Sequence, residues 1–367
     1  MSKLSRMGHA LYEGKLSIDF VGRRRLWYAI SALILLVAIG GLVFKGLNYG
    51  IEFEGGVEYR VAMQAGQATE ANVEVIRDAV AGTGLRAAEA PIVNTSGKDL
   101  IRVQIEPLDN HQATQVANAI KDAVHVTDND LSQDAIGATW GAQVAQRALT
   151  GLIVFLVVVV LFIWGYFREW KMSVGGIVAL AHDLVITVGI YALSGFEVTP
   201  ATVTGILTIL GFSLYDTVVV FDKVRENTKN LTRSRMTYSE AANLAVNQTL
   251  VRSINTSIVA LLPVGALLYV GVVSLGSGAL KDLSLALFVG MAAGAYSSIF
   301  IATPLVVQLK ELEPGVRAGD ARAMRHRARP EADRFAGVPA SVERTPVSAS
   351  TKRPTPTQRP QPPRGRK

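Results

Sequence analysis

The sequence has 367 residues and no cysteine, which excludes disulfide bridges, thiolate metal sites and cysteine nucleophiles. Hydrophobic residues make up 49% and charged residues 18%, whereas soluble globular domains carry roughly 25% charged residues. The mean hydropathy of +0.29 favours a membrane protein, and the net charge of +7 is distributed very unevenly along the chain.

Six apolar runs are long enough to cross a bilayer, which takes roughly 20 residues in a helix. The predicted spans are residues 26–44, 148–167, 172–196, 198–221, 252–280 and 283–309. Pro263 and Pro304 predict kinks or ends in the last two spans. The first run is too long for a signal peptide, and no small-residue cleavage pattern follows it directly. We therefore predict an α-helical polytopic membrane protein.

The distribution of lysine and arginine predicts the orientation of these spans. The N-terminal residues 1–25, the loop 222–251 and the tail 310–367 are all basic. By the positive-inside rule these segments are cytoplasmic, including both termini. The segment 46–146 carries 14 acidic and six basic side chains, so we expect it on the opposite, extracytoplasmic side.

The segment 46–146 is long enough for one small domain. Its predicted elements are a strand at 57–63, a helix at 69–80, a turn at 94–98 before a strand at 99–107, a helix at 111–124 and a strand near 135–139. Thr69 is the expected N-cap of the first helix. The resulting β-α-β-β-α-β order is that of a ferredoxin-like α+β domain.

The tail, residues 310–367, is rich in Pro, Ser, Thr and Arg and has few apolar residues. Such a composition cannot form a hydrophobic core, so we predict a disordered basic cytoplasmic tail. The sequence leaves open whether the tail is only a solvated extension or is attracted to anionic lipid or RNA.

Three charged residues lie in or at the edge of the predicted spans. Asp183 is near the middle of the third span, beside His182, and Arg252 opens the fifth. Asp216 lies about 6 residues, or roughly 9 Å of helix rise, inside the cytoplasmic end of the fourth span. A charge at the bilayer centre costs about 2.5–3.5 kcal/mol on insertion scales, so such residues are usually paired or functional.

Two interpretations of Asp216 remain open from the residues alone. Asp216 and Arg252 enter from the same side at comparable depth, so they could form a static ion pair that fixes helix packing. Alternatively, Asp216 titrates, and a helix movement that separates the pair loads and releases a proton. For Asp183 it is equally open whether the carboxylate is functional or is simply hydrogen-bonded locally by His182 or a neighbouring hydroxyl.

Several function classes lack sequence support. No GxxxxGK[ST] motif is present, so an ATP-driven motor is not expected. The outer segment has no Ser-His-Asp, HExxH or paired-carboxylate pattern, so we expect neither an enzyme nor a bound cofactor or metal. A passive membrane anchor has no reason to bury Asp183, Asp216 and Arg252.

Three motifs carry a family resemblance. GFSLYDTVVVFDKVREN at 211–227 and NQTLVRSINTS at 247–257, with six spans and a large outer loop after the first, resemble the SecF family of the bacterial Sec protein-export machinery. GIEFEGG at 50–56 resembles the glycine-bearing motif that follows the first span in that family. The resemblance covers roughly residues 17–310 and places the chain in the resistance-nodulation-division superfamily.

The resemblance implies a subunit of the cytoplasmic membrane that pairs with SecD and, through it, with the SecYEG channel. It implies use of the proton motive force to help export unfolded polypeptides, with Asp216 and Arg252 in proton movement, and we add Asp183 as a further candidate. Membrane lipids are expected partners and nucleic acid is not a specific one. Sodium as the coupling ion, and a resistance-nodulation-division-type exporter half for small molecules or lipids, remain alternatives.

Overall fold

The structure is a computed structural model that describes residues 17–97, 99–229, 231, 236–275 and 278–336. After a short segment that bends and turns, the chain enters the long helix α1 (Arg24–Lys45). It then forms a two-residue strand, β1 (Asn48–Tyr49), and one helical turn, α2 (Ile51–Glu54).

Two glycines set the path from α2 into the next strand. Gly55 and Gly56 have φ values of 79° and 146°, a region that residues with a Cβ rarely adopt. A Cβ on Gly56 would also lie 2.5 Å from the carbonyl oxygen of Ile105. The motif at 50–56 therefore needs glycine at its end because the backbone turns sharply against a neighbouring strand.

The following residues form an α+β module. Its elements are β2 (Gly56–Ala62), α3 (Glu70–Ala81), β3 (Ile92–Ser96), β4 (Leu100–Ile105), α4 (Asn110–Val124) and β5 (Leu131–Ile136). The four strands form an antiparallel sheet in the order β3-β4-β2-β5. Alternate residues of β2, such as Tyr59, are buried against Ile76 of α3 and Ile120 of α4.

Both helices of this module form where the sequence predicts them, while one strand is displaced. Thr69 caps α3 by accepting a hydrogen bond from the Asn72 amide, and Asp109 forms a capping box with Gln112 at α4. The strand expected near 135–139 instead ends at Ile136. It ends there because the chain turns at Gly137 into a continuous helix that already includes the residues expected to finish the strand.

The remaining chain is almost entirely helical. Its elements are α5 (Ala138–Phe167), α6 (Trp170–Ser194), the short strand β6 (Glu197–Val198), α7 (Pro200–Thr228), α8 (Tyr238–Val270) with a short π-helical end (Gly271–Leu275), α9 (Ala279–Ser297), a π-helical turn (Ser298–Ala302), α10 (Thr303–Lys310) and α11 (Pro314–Ala336). Six helices of the described residues are long and apolar enough to cross a membrane, in line with the predicted polytopic membrane protein.

The predicted cytoplasmic loop 222–251 is mostly helical. α7 continues to Thr228, and α8 already begins at Tyr238, where Thr237 and Glu240 form a capping box. The helix of the fifth span therefore extends into an amphipathic arm, whose Ala242, Ala245 and Val246 are buried in a hydrophobic cluster. Hydropathy alone places this arm in a loop.

The two prolines act differently. Pro263 lies inside α8 without ending it. Pro304 follows the π-helical turn, and the Thr303 hydroxyl donates to the Ser298 carbonyl oxygen at 3.1 Å. Because proline lacks an N–H, a change in hydrogen-bond register is expected one turn before it.

The prediction of a disordered tail at 310–367 is wrong over its first part. Residues 314–336 form α11, which is rich in alanine and arginine, both good helix formers. Its Asp320 carboxylate accepts from the Tyr238 amide at 2.8 Å, and Glu313 just before it pairs with Lys171 at 2.7 Å. Residues 337–367 lie outside the described residues.

Candidate functional site

The first buried carboxylate, Asp183, lies at the meeting point of three helices. Its side chain on α6 is 1% exposed. One oxygen, Oδ2, accepts hydrogen bonds from Ser213 Oγ of α7 at 2.6 Å and from Ser297 Oγ of α9 at 2.9 Å. Its other oxygen lies 3.2 Å from Nδ1 of His182. His182, one of the two local partners that the sequence leaves open, is therefore present, whereas both hydroxyls come from other helices.

The second buried carboxylate, Asp216 on α7, has the same kind of coordination. The residue is 5% exposed. Ser253 Oγ of α8 donates to Oδ1 at 2.7 Å, and Ser298 Oγ of the π-helical turn donates to Oδ2 at 2.7 Å. Asp216 thus joins α7 to α8 and to the π-helical turn that follows α9.

The two carboxylates share their supporting elements. Ser213 and Asp216 are three residues apart on one face of α7, and Ser297 and Ser298 are neighbours at the start of the π-helical turn. α7 therefore supplies one group to each carboxylate cluster, and the junction of α9 with the π-helical turn supplies one serine to each. π-helical turns occur frequently at functional sites, and here the turn contains the serine that contacts Asp216.

Close packing of α7 and α9 makes these contacts possible. A Cβ on Gly294 would lie 2.7 Å from the Cβ of Ser213, and one on Gly290 would overlap Cδ1 of Ile209. Small residues let two helix backbones approach closely in a membrane, where apolar burial gives little driving force. The glycines thus hold α7 close to α9, so that Ser213 of α7 and Ser297 of α9 can both contact Asp183.

The partners of these carboxylates suit both protonation states. A serine hydroxyl donates to a charged carboxylate, and it can also accept a hydrogen bond from a protonated carboxylic acid. An arginine partner has no acceptor and would favour only the charged form. Among the described residues, Asp216 has two hydroxyl partners and no salt bridge. Both hydroxyls can therefore stay hydrogen-bonded to Asp216 whether its carboxyl group is charged or neutral.

The ion pair that the sequence allows between Asp216 and Arg252 is not formed among the described residues. Arg252 is exposed and precedes Ser253 on α8. Consecutive helical residues point about 100° apart, so Arg252 faces away while Ser253 contacts Asp216. Arg252 instead lines a cavity of about 540 Å³ together with Asp222 and Glu226.

Sequence reasoning missed a third buried carboxylate. Asp282 falls between the last two predicted spans, yet it lies in the first turn of α9 and is 3% exposed. Its Oδ2 accepts from the Thr199 hydroxyl at 3.4 Å, and its backbone carbonyl accepts from the Tyr191 hydroxyl. Its Oδ1 is buried with no partner among the described residues. The available signal is the position of Asp282 directly before the apolar run that begins at residue 283.

The four serines were also missed as site residues. The sequence pattern of small and polar residues in the spans is explained by helix packing alone. The spacing of Ser213 from Asp216 on one helix face is the available signal. The pairing of Ser253, Ser297 and Ser298 with carboxylates on other helices has no signature in a single sequence.

Comparisons with known proteins agree with this architecture. The family model described as "Protein export membrane protein SecD/SecF, C-terminal" matches residues 115–312, and the SecD/SecF GG motif matches residues 40–66. The protein translocase subunit SecF of Streptomyces coelicolor is 48% identical over 329 residues, which covers 89% of this chain and 86% of the relative. The SecF subunit of Mycobacterium tuberculosis H37Rv is 43% identical and covers 88% of this chain and 75% of the relative.

A solved structure shows the same fold. The crystal structure of SecDF from Thermus thermophilus, a translocon-associated membrane protein, has a TM-score of 0.70 and 32% identity. The match covers 81% of this chain and 39% of the SecDF chain. The motifs, the six apolar helices and these similarities together show that the chain belongs to the SecD/SecF family of protein-export membrane proteins, as a relative of its SecF members.

Proposed function

We propose that the chain, as a SecF-type subunit of the protein translocase, uses the proton motive force to assist export of unfolded polypeptides across the cytoplasmic membrane. The observation that supports proton use is the coordination of Asp183 and Asp216. Each is buried in the helical bundle and held by two serine hydroxyls from other elements. A hydroxyl group can hydrogen-bond with a charged carboxylate as donor and with a neutral carboxylic acid as donor or acceptor.

Protonation changes how α7 is held by its neighbours. A charged Asp216 accepts from both Ser253 and Ser298, whereas a protonated Asp216 donates one hydrogen bond of its own and holds the remaining ones less strongly. The contacts of α7 with α8 and with the π-helical turn therefore loosen on proton uptake. A potential of 100 mV supplies about 2.3 kcal/mol per charge moved across the membrane, enough to shift such contacts in each cycle.

Arg252 has a place in this cycle as a conditional partner. It lies one residue from Ser253 and beside a cytoplasmic-end cavity lined by acidic Asp222 and Glu226. A rotation of α8 that withdraws Ser253 would bring Arg252 towards Asp216, stabilise the charged carboxylate and release the proton.

We infer that the α+β module is the extracytoplasmic, ferredoxin-like domain and that both termini are cytoplasmic. The β-α-β-β-α-β order, the antiparallel sheet and the acidic excess of 46–146 support this inference. The relevant partners are then SecD, through it SecYEG, and the polypeptide that emerges on the outer side. The similar SecF proteins are described as subunits of a protein translocase, which supports a partner subunit.

The test is export of a reporter protein into inverted membrane vesicles that contain this chain and its partner subunit. We compare wild type with Asp216→Asn, and with Asp222→Asn as the matched control. Asp222 is exposed and lies six residues further along α7, so its replacement removes the same charge from the same helix without removing a contact of Asp216 or of its two serines. Assembly of each complex is checked by co-purification.

We expect Asp216→Asn to abolish the part of export that disappears when the proton gradient is collapsed, and to leave the gradient-independent part intact. Asp222→Asn should retain both parts. Unchanged gradient-dependent export by an assembled Asp216→Asn complex would contradict the proposal and leave Asp216 as a packing residue.

A further inference from the structure

An ion network joins the α+β module to the loop between α6 and α7. Arg102 of β4 donates from Nη1 to Oε1 of Glu197 at 3.0 Å and from Nη2 to its Oε2 at 2.9 Å. The same Nη2 donates to Oε2 of Glu58, on β2, at 2.5 Å. Gln104 adds a contact to each carboxylate, at 3.1 and 3.3 Å. Arg102 is thus the centre of a network that links the sheet to β6.

This network is largely withdrawn from water. The side chains of Arg102 and Glu197 are both 14% exposed, and that of Glu58 is 3% exposed. A bidentate arginine–carboxylate pair of this kind fixes the relative orientation of the two side chains as well as their distance. The Arg60–Asp134 pair on the same sheet is 43% and 57% exposed, and exposed pairs contribute little to stability.

The network continues into the helical bundle through the start of α7. The Glu197 carbonyl accepts from the Thr202 hydroxyl at 3.2 Å, within the first turn of α7. Thr199 caps α7 and also contacts Asp282 of α9. Further along the same helix lies Asp216. One continuous helix therefore connects the loop that holds Arg102 to the buried carboxylates.

A second contact keeps this loop in place. β1 pairs with β6 in parallel, with Asn48 opposite Glu197, and the Gly50 amide donates to the Val198 carbonyl at 3.0 Å. Glu197 is therefore held by backbone pairing, and its side chain is directed to the sheet.

We propose that the Arg102–Glu197 pair is a coupling latch that transmits movement of α7 to the α+β module. A tilt of α7 displaces Glu197, and the directional pair carries that displacement to β4. Arg102 and Glu197 are positioning residues here, since neither touches the buried carboxylates. The inference rests on the proposed function, in which α7 moves when Asp216 changes its charge.

The first test replaces the partner that lies outside the module. Glu197→Gln removes the charge while the Arg102–Glu58 pair inside the sheet is retained, so the module should still fold. Asp134→Asn is the matched control, because it removes an ion pair of the same sheet that does not reach α7. Both variants are made in the full chain and assembled with the partner subunit.

The second measurement follows the movement directly and does not depend on export. The chain has no cysteine, so single cysteines introduced at Asp122 on α4 and Thr204 on α7, both exposed, can be labelled with spin probes. Their distance distribution is measured by pulsed electron resonance at neutral and acidic pH, in proteoliposomes of the assembled complex.

In wild type and in Asp134→Asn, we expect one narrow distance distribution at each pH. In Glu197→Gln, we expect a broadened distribution and a loss of at least about fivefold in gradient-dependent export, with gradient-independent export retained. A purely structural role of Glu197 would lower both parts of export together. That result would overturn the latch.

A distance distribution in Glu197→Gln that matches wild type at both pH values would also overturn it. If wild-type export has no gradient-dependent part, the proposed function fails, and the distance distributions still decide whether Glu197 holds the module to α7.

Discussion

At the scale of single residues, the choice of serine as partner of a buried carboxylate is informative. An arginine partner would have made Asp216 a permanent charge, whereas Ser253 and Ser298 leave both protonation states available. The same chemistry recurs at Asp183 with Ser213 and Ser297. The repeated arrangement favours a functional role over packing alone.

Removal of one of these hydroxyls should affect coupling. We expect Ser253→Ala to reduce gradient-dependent export about tenfold or more, because a hydrogen bond to a charged group contributes about 1.5–3 kcal/mol. Ser257→Ala is the control, since that hydroxyl donates to the Ser253 carbonyl and does not contact Asp216. Equal export rates for the two variants would show that the Ser253 hydroxyl has no role in coupling.

The ion network around Arg102 predicts a pH dependence of stability. Burial raises the pKa of the Glu58 carboxyl, but the hydrogen bond and charge of Arg102 outweigh burial and hold the pKa below its ordinary value of 4.5. The stabilisation is therefore present at neutral pH and is lost as the pH falls from about 4.5 through the folded-state pKa.

We expect the amides of β2 and β4 to lose protection in that acidic range, as measured by hydrogen exchange at several pH values and corrected for intrinsic rates. Glu58→Gln should be less protected at neutral pH and should show a flatter acidic profile. An acidic profile identical to wild type would contradict this role of Glu58.

Sequence reasoning locates the charged residues of the site but not their partners. Asp183 and Asp216 stand out because a charge in an apolar run is rare. Arg252 stands out for the same reason, yet it faces away from Asp216 because the adjacent Ser253 occupies that side of α8. Which side chain of a neighbouring helix meets a carboxylate depends on helix rotation, and hydropathy carries no information about it.

At the scale of elements, Gly41 of α1 and Gly189 of α6 both lie at close contacts between these two helices. A Cβ on Gly189 would overlap the Cβ of Ala38 and lie 2.6 Å from its Cα. We expect Gly189→Ala to lower the melting temperature of the purified chain, because overpacking typically costs about 1–3 kcal/mol.

Gly40→Ala is the control for helix propensity. Gly40 lies on α1, and a Cβ added there would have nothing within 4 Å, so alanine should leave the melting temperature unchanged or raise it. A Gly189→Ala protein as stable as Gly40→Ala would show that α1 and α6 can separate without loss of stability.

Element boundaries differ from the sequence prediction where polar residues continue a helix. Hydropathy falls around Tyr238 and predicts a loop there, although the helix already begins with a capping box. α11 is not predicted because arginine and alanine in the tail resemble a disordered segment in composition, while its anchoring contacts, Asp320 to Tyr238 among them, come from elsewhere in the chain.

At the scale of the whole molecule, α7 connects the latch to the buried carboxylate of Asp216. The latch contacts the start of α7 near Glu197, and Asp216 lies further along the same helix. A helix held at one end by a directional ion pair and at another by protonatable contacts can convert a change of charge into movement of the α+β module. About 2.3 kcal/mol per proton at 100 mV sets the free energy available for each such step.

The most direct test of this account is a measurement of proton movement during export. Proteoliposomes that contain this chain, its partner subunit and the translocation channel carry a trapped pH-sensitive dye, and export of a reporter is started in the presence of an imposed gradient. We expect proton flux that accompanies export in wild type and in Asp222→Asn and is absent in Asp216→Asn. Equal flux in Asp216→Asn and wild type, or gradient-driven export by wild type without any proton flux, would contradict the assignment of Asp216 as the proton-coupling carboxylate.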